Sequence, residues 1–131
     1  MNYVDVNVFV YWLGNDLAFG DQATEIIARI EKGERTVTSS LTLWLVHIVL
    51  SSLAEQYSEE ALVETIKSLA FLRVEPLLFD DYATALKYMT SYKLDLEDAL
   101  HLATALRTGA KEIYSNDGDF DRTPLRRVGF K

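Results

Sequence analysis

Short β-like runs alternate with helical stretches along the whole of this chain, and that alternation leaves few folds open. Val4, Val6, Val8 and Val10 recur at every second residue and read as a first strand that turns helical before Leu13. Its other face carries Asp5 and Asn7, unusual company for a core strand. Helices are expected from an Asp21 cap through Ile26, Ile27 and Ile30 to Gly33, and from Ser40 to about Tyr57. Others run from Ser58 to about Phe71, from an Asp80 or Asp81 cap to about Ser91, and from an Asp95 cap to Gly109. Between them, residues 36–38, 74–79, 111–114 and 127–130 read as strands, and Pro76 holds the 74–79 strand to an edge. The pattern implies an α/β fold, a central parallel sheet flanked by helices on both faces. In such sheets ligands bind beyond the carboxyl ends of the strands. With no linker or repeat, residues 1–131 read as a single domain.

Three carboxylates, Asp117, Asp119 and Asp121, crowd the segment directly after the 111–114 strand. Asp5 and Asp98 occupy comparable settings, one in the first apolar strand and one near the start of an amphipathic helix. Each has an ordinary structural reading beside a functional one. Asp5 either ligates a metal or accepts backbone hydrogen bonds at the end of its strand. Asp98, three residues after Asp95, fits a capping box, and from a first helical turn it can also project into a strand-edge pocket. Asp117 and Asp119 suit a hard cation or a solvated turn. Asp121 reads as a surface charge or cap, and Ser115 as a ligand contact or a turn residue. As a set the acids mean more. Two carboxylates ~4 Å apart repel by about 4 kcal/mol at an effective dielectric near 20, so a cation or a shared proton has to stabilise them. Several acids with open water positions suit metal-assisted hydrolysis with an ion such as Mg²⁺. His47 and His101 lack metal-ligand spacing and read as structural, although His101 lies one turn after Asp98 and can face the same pocket. Trp12 and Trp44 read as core or interface residues, and Tyr57, Tyr88 and Tyr92 as partly buried helix residues.

A net charge of −7 opposes a simple electrostatic nucleic-acid binder. Divalent cations, or the basic cluster Arg122, Arg126, Arg127 and Lys131, offer ways round this. The acidity also suits a basic, unfolded protein partner. The absence of cysteine excludes disulfides and thiolate metal sites and fits a cytoplasmic protein. No apolar run reaches the roughly 18 residues of a membrane span, so no membrane is expected.

Three features together resemble the PIN-domain family, closest to VapC-type toxins: Asp5 in the first strand, the run Glu97-Asp98-Ala99-Leu100-His101-Leu102-Ala103-Thr104-Ala105, and the run Ser115-Asn116-Asp117-Gly118-Asp119-Phe120-Asp121-Arg122. The likeness spans essentially the whole chain. It implies a PIN-like three-layer fold and a Mg²⁺- or Mn²⁺-dependent endoribonuclease, in which a metal-activated water hydrolyses RNA phosphodiester bonds. It also implies an antitoxin partner and a homodimer. By the same resemblance Asp5, Asp98 and Asp117 are the catalytic acids, Asp119 is an additional metal acid, and Ser115 holds a position that is commonly Ser or Thr. One departure stands out. The family Glu early in the second major helix falls on or beside Leu45, and no acid occurs between Glu34 and Glu55. Glu55 is about three turns away, too far to serve in its place. The loss weakens metal affinity and leaves a second reading open: a catalytically impaired PIN-like module that binds a protein or RNA. A third is another metal-dependent phosphotransfer or phosphatase enzyme on an α/β scaffold.

Overall fold

The computed structural model describes residues 1–53 and 56–131. Its sheet has five strands: β1 (Asn2–Val4), β2 (Thr36–Ser39), β3 (Leu72–Glu75), β4 (Glu112–Tyr114) and β5 (Arg126–Val128). They lie in the order β3-β2-β1-β4-β5, and all the pairings are parallel. Among the described residues the helices are α1 (Val6–Leu13), α2 (Gly20–Glu31), α3 (Ser40–Leu53), α4 (Glu59–Ser68), α5 (Phe79–Tyr92) and α6 (Leu96–Arg107). Side chains alternate across a strand, so each strand feeds both faces of the sheet. Val4 and Tyr114 join Phe9, Ile27, Val46 and Leu62 in one core, beneath α1 to α4. Tyr3 and Ile113 join Ala85, Leu100, Leu102 and Phe120 in the other, beneath α5 and α6. The result is the expected three-layer α/β arrangement. No helix among the described residues is long and apolar enough to cross a membrane.

The first strand is shorter than the valine alternation suggests. Pairing stops at Val4, and Val6, Val8 and Val10 belong to α1. Asp5 makes the switch. Its backbone is extended (φ −80°, ψ 162°), its carboxylate accepts from the Val6 N–H at 2.8 Å, and its carbonyl accepts from the Val8 N–H at 3.2 Å. A side-chain cap followed by burial of Val8 and Phe9 overrides the β preference of a valine-rich run.

Two other expected caps move. Residue 19 precedes α2, and Asp16 serves the approach by accepting from the Ala18 and Phe19 N–H groups, so Asp21 lies inside the first turn. Leu78 precedes α5, where Asp81, the third helical residue, accepts from the Leu78 N–H at 2.9 Å. The 74–79 strand becomes Leu72–Glu75, at the sheet edge as Pro76 requires. Ser58 and Asp95 cap α4 and α6 as expected. Gly109, at φ +87°, turns the chain out of α6.

The apolar helix α3 is not a fully buried one. Thr42, Val46 and Leu50 face inward, while Trp44 is 59% exposed and Ile48 46%. On α5, Phe79, Tyr82 and Leu86 are exposed at helical spacing.

Candidate metal centre at the carboxyl edge of the sheet

The site is set by register. Val4 of β1 pairs with Tyr114 of β4, so Asp5 and Ser115 leave adjacent central strands at the same level. The Asp5 N–H still donates to the Tyr114 carbonyl at 3.0 Å. The Ser115 hydroxyl therefore reaches Asp5 and donates to Oδ2 at 2.7 Å, while the Val6 N–H occupies Oδ1. Ser115 Oγ also accepts from the Asp117 N–H at 3.0 Å. It serves the turn and the acid together, which joins the two roles weighed from the sequence.

Beyond Ser115 the chain enters a short 3₁₀ turn, Gly118–Arg122. Asp117 caps it, accepting from the Asp119 N–H at 2.9 Å. The Asp-Gly-Asp segment is a capped turn, and its acids also converge on α6. One carboxylate oxygen each from Asp98, Asp117 and Asp119 lie within 4.8 Å of one another. Asp5 joins Asp98 and Asp117 in lining a pocket of about 230 Å³. All of the acids singled out from the sequence for a metal thus border one corner of the sheet. Asp121 does not join them. It is exposed and paired with Arg127 at 2.9 Å, as its surface reading expects.

Asp98 carries the electrostatic burden. The Asp95 carboxylate accepts from the Asp98 N–H at 2.8 Å, so the cap is real. The Asp98 carboxylate does not complete a capping box, and no described residue donates a hydrogen bond to it. It is only 7% exposed. Burial, reinforced by Asp117, Asp95, Asp5 and Glu97, pushes its pKa up to about 8. Glu97 is raised as well, by burial first and then by Asp95, Asp5 and Asp117. A carboxyl group at neutral pH in this setting holds a proton or a cation. The donor set is oxygen-only, as a hard divalent ion requires, and Asp98, Asp117 and Asp119 are the group that could hold one, with Asp5 beside them.

Five further residues line the pocket, Val6, Asn7, Val10, Val49 and Glu97; the sequence set Asn7 apart beside Asp5 without giving it a role, and gave the other four none. Asn7 follows from recognising Asp5 as a cap, which puts it in the first turn of α1; its Oδ1 accepts weakly from the Asn116 N–H at 3.4 Å. Glu97 stands next to Asp98 and at the pocket rim. Val49 is the residue through which α3 reaches the pocket, one helical turn beyond Leu45. The wall where an acid is missing is thus apolar. Glu55, weighed as a stand-in, lies outside the described residues.

The basic cluster is largely neutralised. Arg122 pairs with Asp119, Arg126 with Glu112, and Arg127 with Asp121. Arg122 also donates to the Tyr92 and Lys93 carbonyls, which ties the 3₁₀ turn to the end of α5. A roomier cleft of about 430 Å³ lies between Leu13, Leu50, Tyr57 and Leu62, and among the described residues no carboxylate lines it.

His101 is buried at 1% exposure, beneath the pocket rather than in it. Its Nδ1 is 2.6 Å from the Tyr3 hydroxyl, and its Nε2 lies 4.0 Å from Asp5 Oδ1 without a hydrogen-bond partner. The structural reading of this histidine therefore holds for one ring nitrogen only.

No curated protein matches the chain. Solved structures do. VapC20 of Mycobacterium tuberculosis, described as a sarcin-ricin loop cleaving toxin, superposes with a TM-score of 0.78 at 20% identity, covering 96% of this chain and 99% of that one. VapBC2 from Rickettsia felis, bound to a DNA fragment from its promoter, gives 0.74 at 16% identity over the full length of both chains. A toxin–antitoxin complex from Klebsiella pneumoniae gives 0.73 at 17%, covering 96% and 99%. The fold is that of the VapC structures. The sequence pattern of the PIN domain matches residues 3–125, nearly the whole chain, and the protein belongs to the PIN domain family.

Proposed function

We propose that this protein is a metal-dependent endoribonuclease, resembling the toxin of a VapBC-type toxin–antitoxin pair. The observation that carries the proposal is the convergence of Asp98, Asp117 and Asp119 within 4.8 Å, beside Asp5, with no cationic side chain neutralising the buried Asp98. Such a cluster costs folding energy unless it holds a cation. A divalent ion there, Mg²⁺ or Mn²⁺, would supply Lewis-acid stabilisation of charge developing on a phosphodiester. The protein's own residues prepare for this. Ser115 and the Val6 N–H fix the Asp5 carboxylate, and the 3₁₀ cap fixes Asp117. Asp98, whose pKa burial and the neighbouring acids raise, would hold a proton or a cation there. Arg122, on Asp119 at 3.1 Å, orients the most exposed acid. The partners in this reading are RNA, an antitoxin and a second copy of the chain. A second copy would cover exposed Trp44 and Ile48 on α3, or Phe79, Tyr82 and Leu86 on α5. The place of action is the cytoplasm.

The test is RNA cleavage by antitoxin-free protein in Mn²⁺ or Mg²⁺, against EDTA and Asp117→Asn. Cleavage lost in both controls is expected. A second reading, an impaired module that binds RNA or protein, is favoured by one observation: α3 presents Val49, not an acid, to the pocket. Folded protein that binds Mn²⁺ but leaves every RNA intact would establish it. Restoration of cleavage by Leu45→Glu or Val49→Glu would then trace the defect to that wall.

A further inference from the structure

His101 has a buried ring nitrogen that nothing in the fold satisfies, and it is aimed at an acid of the candidate centre. A buried, unpaired polar atom costs about 1–3 kcal/mol, so its retention needs a reason. The ring is clamped on its other side. Tyr3 Oη lies 2.6 Å from Nδ1, the rings meet edge to face with centroids 5.7 Å apart, and Tyr3 is fully buried on β1, two residues before Asp5. Two tautomers of a neutral imidazole satisfy the Tyr3 contact equally, since a phenol both donates and accepts. Asp5 breaks the tie. With the proton on Nδ1, the Nε2 lone pair would face the Asp5 carboxylate 4.0 Å away in a dry setting. With the proton on Nε2, the N–H dipole points at the carboxylate instead.

Resting on the nuclease reading above, we propose that His101 is a positioning residue for Asp5. Tyr3 donates to Nδ1, the proton sits on Nε2, and the buried Nε2–H, 4.0 Å from Asp5 Oδ1, is placed to take up the Asp5 carboxylate when it turns toward a divalent cation. The 4.0 Å gap is part of the argument. Asp5 Oδ1 is already occupied by the Val6 N–H and Oδ2 by Ser115, so the carboxylate is held just short of the imidazole. A small rotation toward a cation frees one of these donors, and Nε2–H is the group ready to replace it. Outer partners of this kind typically change metal affinity 10- to 100-fold.

Two measurements test this, and neither needs catalysis. Long-range ¹H–¹⁵N NMR of the metal-free protein reads the tautomer directly. The Nε2–H form is expected in the wild type and in Tyr3→Phe, where Asp5 remains, with a mixture in Asp5→Ala. An Nδ1–H form in the wild type overturns the proposal. Titration with Mn²⁺ alone, followed by EPR, compares wild type with His101→Gln, His101→Phe and Tyr3→Phe, each first shown to be folded by circular dichroism. His101→Phe is expected to weaken Mn²⁺ binding about 10-fold. His101→Gln, whose amide N–H can take the place of Nε2–H, is expected to recover much of that loss. Equal affinity in wild type and His101→Phe overturns the role of His101 and leaves the metal site standing. Absence of Mn²⁺ binding in the wild type overturns the metal site itself. If His101→Phe does not fold, the wild-type tautomer and the Tyr3→Phe titration still decide.

Discussion

Asp81 and Asp98 occupy the same local position with opposite consequences. Each is the third residue of its helix, in α5 and α6, and each is buried, at 2% and 7% exposure. Around Asp81, burial works to raise the pKa, but the Arg107 guanidinium, the Leu78 N–H and Thr104 outweigh it and hold the carboxyl below its ordinary range. Arg107 contacts both Asp81 oxygens, at 2.9 and 3.0 Å, and donates to the Pro76 carbonyl as well. Around Asp98 the neighbours are Asp117, Asp95, Asp5 and Glu97, and nothing opposes burial. One acid is complete within the fold, and the other is not. That difference separates a carboxylate satisfied within the fold from one left without a donor, and local sequence cannot reveal it.

The largest effect should come from breaking the complete site. Asp81→Asn leaves Arg107 without its partner. Loss of one member of a buried pair costs about 3–5 kcal/mol, and the partial exposure of Arg107 reduces this to about 2–3 kcal/mol. A fall in Tm of about 10 °C is expected, with unchanged Mn²⁺ affinity in the folded fraction. A loss of Mn²⁺ binding would show that the two aspartates are not independent.

Asp98→Asn should do the reverse. In EDTA it should stabilise the protein by about 2 kcal/mol at pH 8.5, a Tm gain of about 6 °C, while abolishing tight Mn²⁺ binding and cleavage. The pH window follows from the sign of the shift. Between about pH 4, where an unfolded aspartate ionises, and about 8, the folded protein keeps a proton on Asp98 that the unfolded chain has shed. Stability is therefore lost as pH rises across that window, and the gain in Asp98→Asn should shrink toward zero at pH 4. Asp81 acts oppositely: its depressed pKa contributes stability above about pH 4, and this is lost on acidification through the folded pKa. Thermal denaturation of both variants from pH 4 to 9 separates these slopes. A flat profile for wild type minus Asp98→Asn would remove the electrostatic account of the site.

Adding Mn²⁺ to the wild type should cancel much of the alkaline loss, because the ion replaces the proton. One hundred times Kd corresponds to about 2.7 kcal/mol. Asp98→Asn should show little of this gain. A rise in Tm with Mn²⁺ that is equal in both proteins would place the ion elsewhere.

Much of this was legible in the sequence because it is local. Helix–strand alternation, the Ser58 and Asp95 caps and the acid-rich turn after β4 depend on neighbours within a few residues. The α1 boundary was not, because a valine run satisfies a strand and a helix equally until Asp5 is seen to cap rather than pair. The Asp98 environment was partly legible. The acids that meet there are widely separated in sequence, and the spacing of a parallel sheet implied that they share an edge. Which of them is buried without a donor depends on strand register and on helix α6 packing, neither of which a linear pattern carries. Asn7 became a lining residue through the Asp5 cap on α1, and Val49 through the placing of α3. Tyr3, which no sequence pattern singles out, acquires its His101 contact across 98 positions of sequence.

The smallest expected effect tests the rim. Glu97 follows the capping Asp95 by two residues, borders the pocket and can group with Asp95 and Asp98. It is largely exposed, so solvent screens it, and its pKa rises mainly through partial burial and then through the same acids that raise Asp98. As a bystander it contributes only field. Glu97→Gln should then lower the apparent pKa of Asp98 slightly and change Mn²⁺ affinity by less than about threefold, since screened charges contribute about 0–1 kcal/mol. The alternative outcome is the informative one. α3 brings apolar Val49 to the pocket, and Glu97 is a lining carboxylate without an assigned role. If Glu97→Gln weakens Mn²⁺ binding as severely as Asp98→Asn, Glu97 has taken the vacant place from α6. The site would then be complete with a donor from a different helix, and Val49→Glu should add nothing to it.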